Sequence, residues 1–563
     1  MVQEFTNNMI TSSAEKIEKY TKKGKWGNRK LHDLLYANAA KNSDKIALVD
    51  PLNKAELMGQ QPLRLTFVEL IDKIERLTCI FIRMGIKKDD VLLVQMPNCV
   101  EFVYIYMAAS RLGAIVSPVA VQYKQHELIN IVKILKPKVI LTVSQLKSED
   151  FIVHFEETLQ HIDTCQPDIL VWGEYDKYPN IYNLMTEPAD VCLIEQYSRD
   201  FPVTANDILT ICWTSGTEGL PKGVPRSHNH WLVTGLATFQ GSQIKAGESL
   251  LNPFPFINMA AIGGLFLSWL YNGGKLVLHH PLDFPLFLRQ IVEENIEYTL
   301  VPPALLNNIL KNEALQALCD FSKIRAIGSG SAPLDEWMVE GYKQKFDIEI
   351  INHFGTNEGM SLLCGPSHTN TSSQRARLFP KKTDLIESRI ADVITGAVIE
   401  TPEQKGELQV RGGGVFDGYF AAANNKMECF TDDGFFKTGD LFVIDDTDNN
   451  FYRFVGRNKD IIIRGGMNIA PAELDSLLSG HEHIEEAAVA SYPCDIMGEK
   501  IAAFVVIKEG YDMTLDELTD YLRSCEIATY KLPEKLIITE HLPRNALGKV
   551  VRFELANQLL KEL

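Results

Sequence analysis

The 563-residue sequence offers no cysteine framework. Its ten cysteines, among them Cys79, Cys99, Cys165, Cys212 and Cys364, are scattered, and none is spaced C-x-x-C. That excludes a zinc ribbon and a disulfide scaffold and suits a reducing compartment. Metalloprotease spacing of histidines is absent too, because His279-His280 and His481-Glu482-His483 do not match it. Basic charge is scarce: 56 Lys and Arg stand against 73 Asp and Glu, a formal net charge of −17. With no long basic run, nucleic-acid binding is not expected. Long apolar runs are missing as well. The longest, Met259 to Tyr271, contains Gly263, Gly264 and Ser268 and falls short of the ~20 residues that span a bilayer. The polar opening, Met1 to Lys25, has no apolar signal-peptide core, so a soluble, cytoplasmic location is expected. There is no internal repeat and no low-complexity stretch.

Composition is that of an ordinary globular chain, 45% hydrophobic and 23% charged, long enough for roughly three or four domains or subdomains. After a lead-in over residues 1–30, where Trp26 is placed to pin the tail to the body, helix and strand periods alternate. Phe67 to Met84 carries Leu70, Ile71, Ile74, Leu77, Ile80 and Phe81 at helical spacing, and Val91 to Val94 follows as a strand. Phe102 to Leu112 reads as helix, Ala114 to Val119 and Val139 to Val143 as strands. Such alternation implies parallel sheets wrapped by helices. Near Gly406 the texture turns to short antiparallel strands (Glu407 to Arg411, Leu441 to Ile444), and the last hundred residues read as a separate small α+β unit beginning at Arg457-Asn458-Lys459-Asp460.

The most particular stretch is Trp213-Thr214-Ser215-Gly216-Thr217-Glu218-Gly219-Leu220-Pro221-Lys222-Gly223, placed after the apolar strand Ile208 to Trp213. Glycines let successive N–H groups converge on an anion, hydroxyls add donors, and Lys222 brings a mobile charge. It is not a Walker loop, which needs G-x-x-x-x-G-K-[ST]. The order S-G-T-x-G-x-P-K-G resembles the phosphate loop of the adenylate-forming (AMP-binding) superfamily: acyl- and aryl-CoA synthetases, aryl-acid adenylating enzymes, peptide-synthetase adenylation domains and luciferases. Five further stretches resemble that family in the same order: Gly328-Ser329-Gly330-Ser331-Ala332-Pro333, Phe354-Gly355-Thr356-Asn357-Glu358, Thr438-Gly439-Asp440, Gly456-Arg457-Asn458-Lys459-Asp460 with Gly465-Gly466, and Pro543-Arg544-Asn545-Ala546-Leu547-Gly548-Lys549. Each alone is an ordinary loop; together they cover essentially residues 30–560.

The resemblance implies an α/β fold. A large N-terminal domain of parallel-rich sheets with a distorted β-barrel subdomain would take residues 1–458, and a small mobile C-terminal α+β lid 459–563. It implies ATP-dependent activation of a carboxylic acid to an acyl-adenylate, with pyrophosphate release, then transfer to a thiol. Thr214, Ser215, Gly216, Thr217, Gly219, Lys222, Thr356 and Asn357 would hold phosphate. Gly330, Ser331, Ala332, Pro333, Phe354, Asp440 and Arg457 would hold the nucleoside. Glu358 would bind Mg²⁺, Lys549 would bridge carboxylate and α-phosphate, Lys459 would be the hinge, and Gly465 and Gly466 would approach CoA. The acyl pocket is expected from Phe256, Asn258, Met259, Ile262, Gly263, Ser329 and His353. Its apolar members suggest a medium-chain, alicyclic or aromatic acid, while Asn258 and His353 could read a hydroxyl or make structural hydrogen bonds.

Three departures stand out. Glu218 takes a position that is usually hydroxylic or small, Asn357 one that is usually threonine, and Asn258 one that is often histidine. No carrier module with an attachment serine follows Lys549, so the thiol is expected from free CoA or, alternatively, a separate carrier protein. A non-catalytic adenylate-binding module is the reading from another class, and a homodimer is left open.

Overall fold

The computed structural model describes residues 9–214, 221–331, 334–369, 371–421, 429–457, 462–469, 471–543, 550 and 552–562. Two parallel-rich sheets make the body. The first runs Ser361–Cys364, Glu349–Gly355, Ala326–Gly330, Tyr298–Leu300, Leu250–Asn252, Leu276–Leu278, Ile46–Val49 and Arg64–Thr66, parallel except at its two edges. The second runs Lys222–Ser227, Ile208–Thr214, Ile115–Pro118, Val91–Gln95, Val139–Val143 and Asp168–Trp172, with one antiparallel pair at its edge. The expected helix–strand alternation is therefore realised as parallel sheet.

The helices that cover these sheets form for local reasons. Phe67–Arg83 opens with a capping box in which Thr66 and Glu69 satisfy each other's backbone N–H. It buries Leu70, Ile74, Leu77 and Phe81 at helical spacing and leaves Val68 exposed. Val100–Leu112 is buried at every residue but Arg111, as a helix enclosed on all sides must be. The charges this helix takes inside are paired: Lys54 Nζ donates to Glu101 at 2.6 and 2.8 Å and to Asp50 at 2.8 Å, and Tyr182 donates to Glu101 at 2.7 Å. Removing Lys54 would strand two buried carboxylates, a loss of roughly 3–5 kcal/mol for such pairs.

The texture change near Gly406 is a five-stranded antiparallel sheet, ordered Leu378–Pro380, Phe451–Arg457, Phe436–Ile444, Gly406–Gly412 and Ile386–Ala391. The barrel part of the expected architecture is this sheet. The small C-terminal unit has its own five strands, Met467–Ile469, Ile462–Arg464, Gly498–Ile507, Ile484–Cys494 and Lys535–Ile538. Leu474, Leu478, Val489, Leu518 and Leu522 lie in a core separate from the body's. Trp26 does pin the tail: it is buried, and its indole N–H donates to Gly413 O at 2.9 Å.

All ten cysteines are free, and His279 and His280 are core residues. Among the described residues no helix is long and apolar enough to cross a membrane. Burial pushes His32, His228 and His280 down to about 3 and His230 to about 4. Each is neutral when folded and takes up a proton on unfolding below its ordinary value near 6.5. Stability is therefore full above neutrality and falls as the pH drops through that value, by about 1.4 kcal/mol per pH unit for each histidine. Thermal melts at pH 7.5, 6 and 5 are expected to show a steep loss. His228→Asn, which can keep the Leu31 N–H acceptor, should make the slope shallower; an unchanged slope would remove His228 from the effect.

Candidate active site

The site is built where the edge of each body sheet meets the antiparallel sheet. The strand Ile208–Thr214 returns as Lys222–Ser227, with Lys222 opposite Thr214, so both ends of the phosphate-type loop are fixed by one hairpin. Ser215, Gly216, Thr217, Glu218 and Gly219 lie outside the described residues, as do Ala332, Pro333, Lys459 and Lys549. Lys222 Nζ sits 5.3 Å from the centre of the Tyr419 ring, and the Tyr419 hydroxyl donates to Glu358 Oε1 at 2.9 Å. Phe420 N–H donates to Gly223 O at 2.8 Å, tying that loop to the hairpin.

Glu358 is carried by a tight turn at the end of the strand Glu349–Gly355. Thr356 N–H donates to Met360 O at 3.1 Å and Gly359 N–H to Thr356 O at 3.0 Å. Asn357 holds the turn to its surroundings: its Oδ1 accepts Met259 N–H at 2.8 Å, and its Nδ2 donates to Trp213 O at 3.4 Å. Glu358 O accepts Phe416 N–H at 2.8 Å. The buried Thr356 Oγ1 has no hydrogen-bond partner among the described residues. The buried Glu358 carboxylate and the unsatisfied Thr356 hydroxyl, carried on one turn, are oxygen donors of the kind that a hard cation such as Mg²⁺ takes.

Below the turn lies a chamber of about 310 Å³, lined among others by Ser331, His353, Phe354, Phe379 and Phe454 from the body and Ile463 from the small unit. Phe354 packs against Phe379, Phe442 and Phe454 with ring centres 5.2–5.6 Å apart and turns an apolar face to the chamber. Ser331 takes a left-handed φ of 71°, a strained conformation that clusters at functional sites. A side chain at Gly330 would meet His353 O at 2.0 Å. This glycine serves the close approach of two strands, and the strand itself, Ala326–Gly330, extends further into the motif than the expected Ile324 to Ile327. Asp440 is buried and stands opposite Arg457 across the strand pair. The Gly465–Gly466 pair forms an exposed hairpin turn with φ of 56° and 81°, two residues beyond Ile463.

The expected acyl-pocket residues separate into two groups. Met259 and Gly263 sit together on the π-helical segment around Ala260–Phe266, where a Cβ on Gly263 would meet Met259 Sδ at 2.7 Å, Thr234 at 3.2 Å and Trp231 at 3.5 Å. π-Helical turns often mark functional sites. Phe256, by contrast, packs into the core against Phe102 and Phe266. Ser329 donates to Val301 O at 2.8 Å, and Asn258 Oδ1 caps Ala261 N–H at 3.1 Å. His353 Nε2 lies 3.1 Å from Tyr298 Oη and 3.3 Å from Ser242 Oγ, with its pKa pushed down to about 3 by burial. It is a neutral hydrogen-bonding group.

Two residues escaped the sequence reading. Tyr419 stands alone in a glycine-rich turn and gives no spacing signal. Arg226 is buried, stacked 3.7 Å from the Trp231 ring centre, donates to Gly414 O and His230 O at 2.9 and 3.0 Å and to Thr234, and is lowered to about 9 by burial. Its only sequence cue is a charge following a β-strand's apolar residues.

With this geometry in place, comparison with known proteins is decisive for class. Family profiles described as "AMP-binding enzyme" and "AMP-binding enzyme C-terminal domain" match residues 35–420 and 473–549. The chain belongs to the AMP-binding enzyme family. It is an adenylate-forming ligase of the acyl-CoA synthetase type. It is similar to 4-coumarate–CoA ligase 3 of Oryza sativa subsp. japonica, 26% identical over 94% of this chain and 92% of that protein. It is also similar to the mitochondrial medium-chain acyl-CoA ligase of Mus musculus, 26% identical over 95% and 88%. In fold it resembles o-succinylbenzoate CoA synthetase from Bacillus subtilis, with a TM-score of 0.76 at 23% identity, covering 94% of this chain and 99% of that one.

The AMP-binding enzyme depends on the turn that carries Glu358. Gly359 has φ of 104°, and a Cβ there would lie 1.9 Å from Gly414 O. Gly359→Ala is expected to cost about 1–3 kcal/mol in backbone strain and to displace Glu358. Differential scanning fluorimetry should show a lowered midpoint, and nucleotide-dependent activity should fall at least tenfold; wild-type values for both would mean the turn tolerates a side chain.

Proposed function

We propose that this enzyme activates an apolar carboxylic acid of medium-chain, alicyclic or aromatic type as its acyl-adenylate and then passes the acyl group to the thiol of CoA. The observation that carries the two-step reading is the chamber itself. The body supplies Phe354 and Ser331, expected to meet the nucleoside, and the small unit supplies Ile463, next to the Gly465–Gly466 turn expected to meet the thiol.

In the first step a carboxylate oxygen attacks the α-phosphorus of ATP; that P–O bond forms, and the bond to pyrophosphate breaks. The obstacle is the meeting of two anions, so positioned positive charge does most of the work. Lys549 bridges carboxylate and α-phosphate, while Lys222, Thr214 and the residues of the 215–219 loop hold the departing pyrophosphate. Mg²⁺ held by Glu358 with Thr356 would supply further screening of phosphate charge. Asp440 and Arg457 hold the ribose. The Asn357 amide is engaged on Met259 and Trp213, so its contribution is to place Glu358 and the pocket wall rather than to act as a free donor.

In the second step the CoA sulfur attacks the acyl carbonyl, AMP leaves with the C–O bond electrons, and the thiol proton passes to solvent. Lys459 serves as hinge between the two arrangements. An apolar acid is supported by the pocket's polar groups being already satisfied: Asn258 and Ser329 bond to the backbone and His353 is neutral. The substrates that the relatives' names give, a coumarate and medium-chain acids, point the same way.

The test is pyrophosphate exchange against a panel of carboxylic acids, repeated with CoA and thioester detection. One acid class supporting both is the expected result. Exchange without CoA turnover would transfer the second step to a carrier protein, and ATP binding with no exchange on any acid would leave only a nucleotide-binding module. Lys549→Ala is expected to slow adenylation about a hundredfold or more while thioester formation from supplied acyl-adenylate is largely kept. Equal loss of both steps would count against its role.

A further inference from the structure

The small unit meets the body at a second place, around two buried charges. Glu127 lies in the first turn of the body helix Gln125–Leu135, which Leu128, Ile131 and Val132 fix in the core. Lys531 ends the short turn Thr529–Lys531 of the small unit. Both are buried, 4% and 5% exposed. Lys531 Nζ donates to Glu127 Oε1 at 2.9 Å and to Glu473 Oε1 and Oε2 at 2.8 and 3.0 Å. The same Glu127 oxygen accepts the backbone N–H of Ala528 at 3.2 Å, and its other oxygen accepts Lys124 N–H at 3.0 Å. The ring centres of Tyr123 and Tyr530 lie 5.4 and 6.0 Å from the ammonium, and His126 Nε2 is 3.7 Å from Glu473.

The lysine and Glu473 belong to the same unit, so that pair persists wherever the unit goes. Glu127 is different. While the two parts are docked it is shut away from water, and beyond the Lys124 N–H of its own helix end it relies on Lys531 and the Ala528 N–H. Once they separate, water solvates both charges and no buried ion is left behind. The interaction therefore favours one orientation of the small unit, not the fold of either part. Glu473 sits on the helix Pro471–Ser479, which follows directly on the strand Met467–Ile469. Fixing that helix fixes the hairpin whose Ile463 closes the chamber.

We infer that Glu127 and Lys531 form an ionic latch that holds the small unit with its Gly465–Gly466 turn toward the chamber, the orientation for acyl transfer, and that opens whenever Lys549 is brought in for adenylation. They are positioning residues, and the functional half of the inference rests on the two-step reading above. The Ala528 N–H reports the latch directly, because its acceptor is across the junction.

The experiment uses the full-length protein without ligand and two variants, Glu127→Gln from the body side and Lys531→Gln from the other. Hydrogen–deuterium exchange in peptides spanning 526–532 should quicken at least fivefold in both variants. Peptides from Val100–Leu112 and Ile484–Cys494 should be unchanged, which separates undocking from misfolding. With an acid chosen from the panel, pyrophosphate exchange should stay within twofold of wild type or rise. Thioester formation from the synthetic acyl-adenylate and CoA should fall at least fivefold, and Lys531→Arg should recover most of it. Unchanged exchange at 526–532 in both variants, or a parallel fall of both half-reactions, overturns the latch. Faster exchange there in a protein with no ligase activity on any acid would keep the latch and overturn the two-step reading.

Discussion

The turn Thr356–Gly359 is the constraint on which the site depends. It ends a parallel strand of the larger sheet, yet its bonds reach three other parts of the body. Asn357 reaches the end of the smaller sheet through Trp213 O and the pocket segment through Met259 N–H, and Glu358 O takes Phe416 N–H from the loop behind the antiparallel sheet. Such a junction admits no side chain at Gly359, because Gly414 O fills the place where a Cβ would go. Loops that carry function need a rigid scaffold, and here the scaffold is three sheet edges tied at one turn.

The charge distribution follows from the same junction. A chain with a net charge of −17 has no general attraction for polyphosphate, so the cation must be local. Lys222 is held over Tyr419, and Tyr419 spends its hydroxyl on Glu358. Tyr419 thus touches both the lysine, through its ring, and the carboxylate, through its hydroxyl. Arg226, buried behind Met259, bonds to backbone and hydroxyl oxygens instead of a carboxylate and adds positive potential at the back of the pocket without closing an ion pair.

Much of this was legible in the sequence where period or spacing carries the signal. The helix expected from Phe67 ends at Arg83, the strand expected from Val91 ends at Gln95, and Trp26 pins the tail. What was not legible is non-local or directional. Nothing near Leu48 and Val49 announces that they will lie beside Leu276 and Val277, because pairing across more than two hundred residues is decided by the whole sheet. Residue type also fails to say where a side chain points. Phe256 and Ser329 fall within the expected pocket stretches, yet the first turns into an aromatic core and the second to the carbonyl of Val301. Gly330 is expected to hold the nucleoside; its immediate necessity is room for the neighbouring strand.

An enzyme that uses two orientations of one small unit needs docking that is specific but reversible, and this limits what the junction can be made of. A large apolar interface would be costly to expose at each turn of the cycle, since exposure scales with apolar area. A buried ion pair behaves otherwise: its net stabilisation is small because hydration competes with it, while its geometry is demanding. Glu127, with one oxygen shared between Lys531 and the Ala528 N–H, meets that requirement. It distinguishes the docked orientation from its neighbours by direction and distance, and it releases both charges to water at little cost when the unit turns away. Charges at this junction, in place of leucines, are what the proposed two-orientation cycle requires.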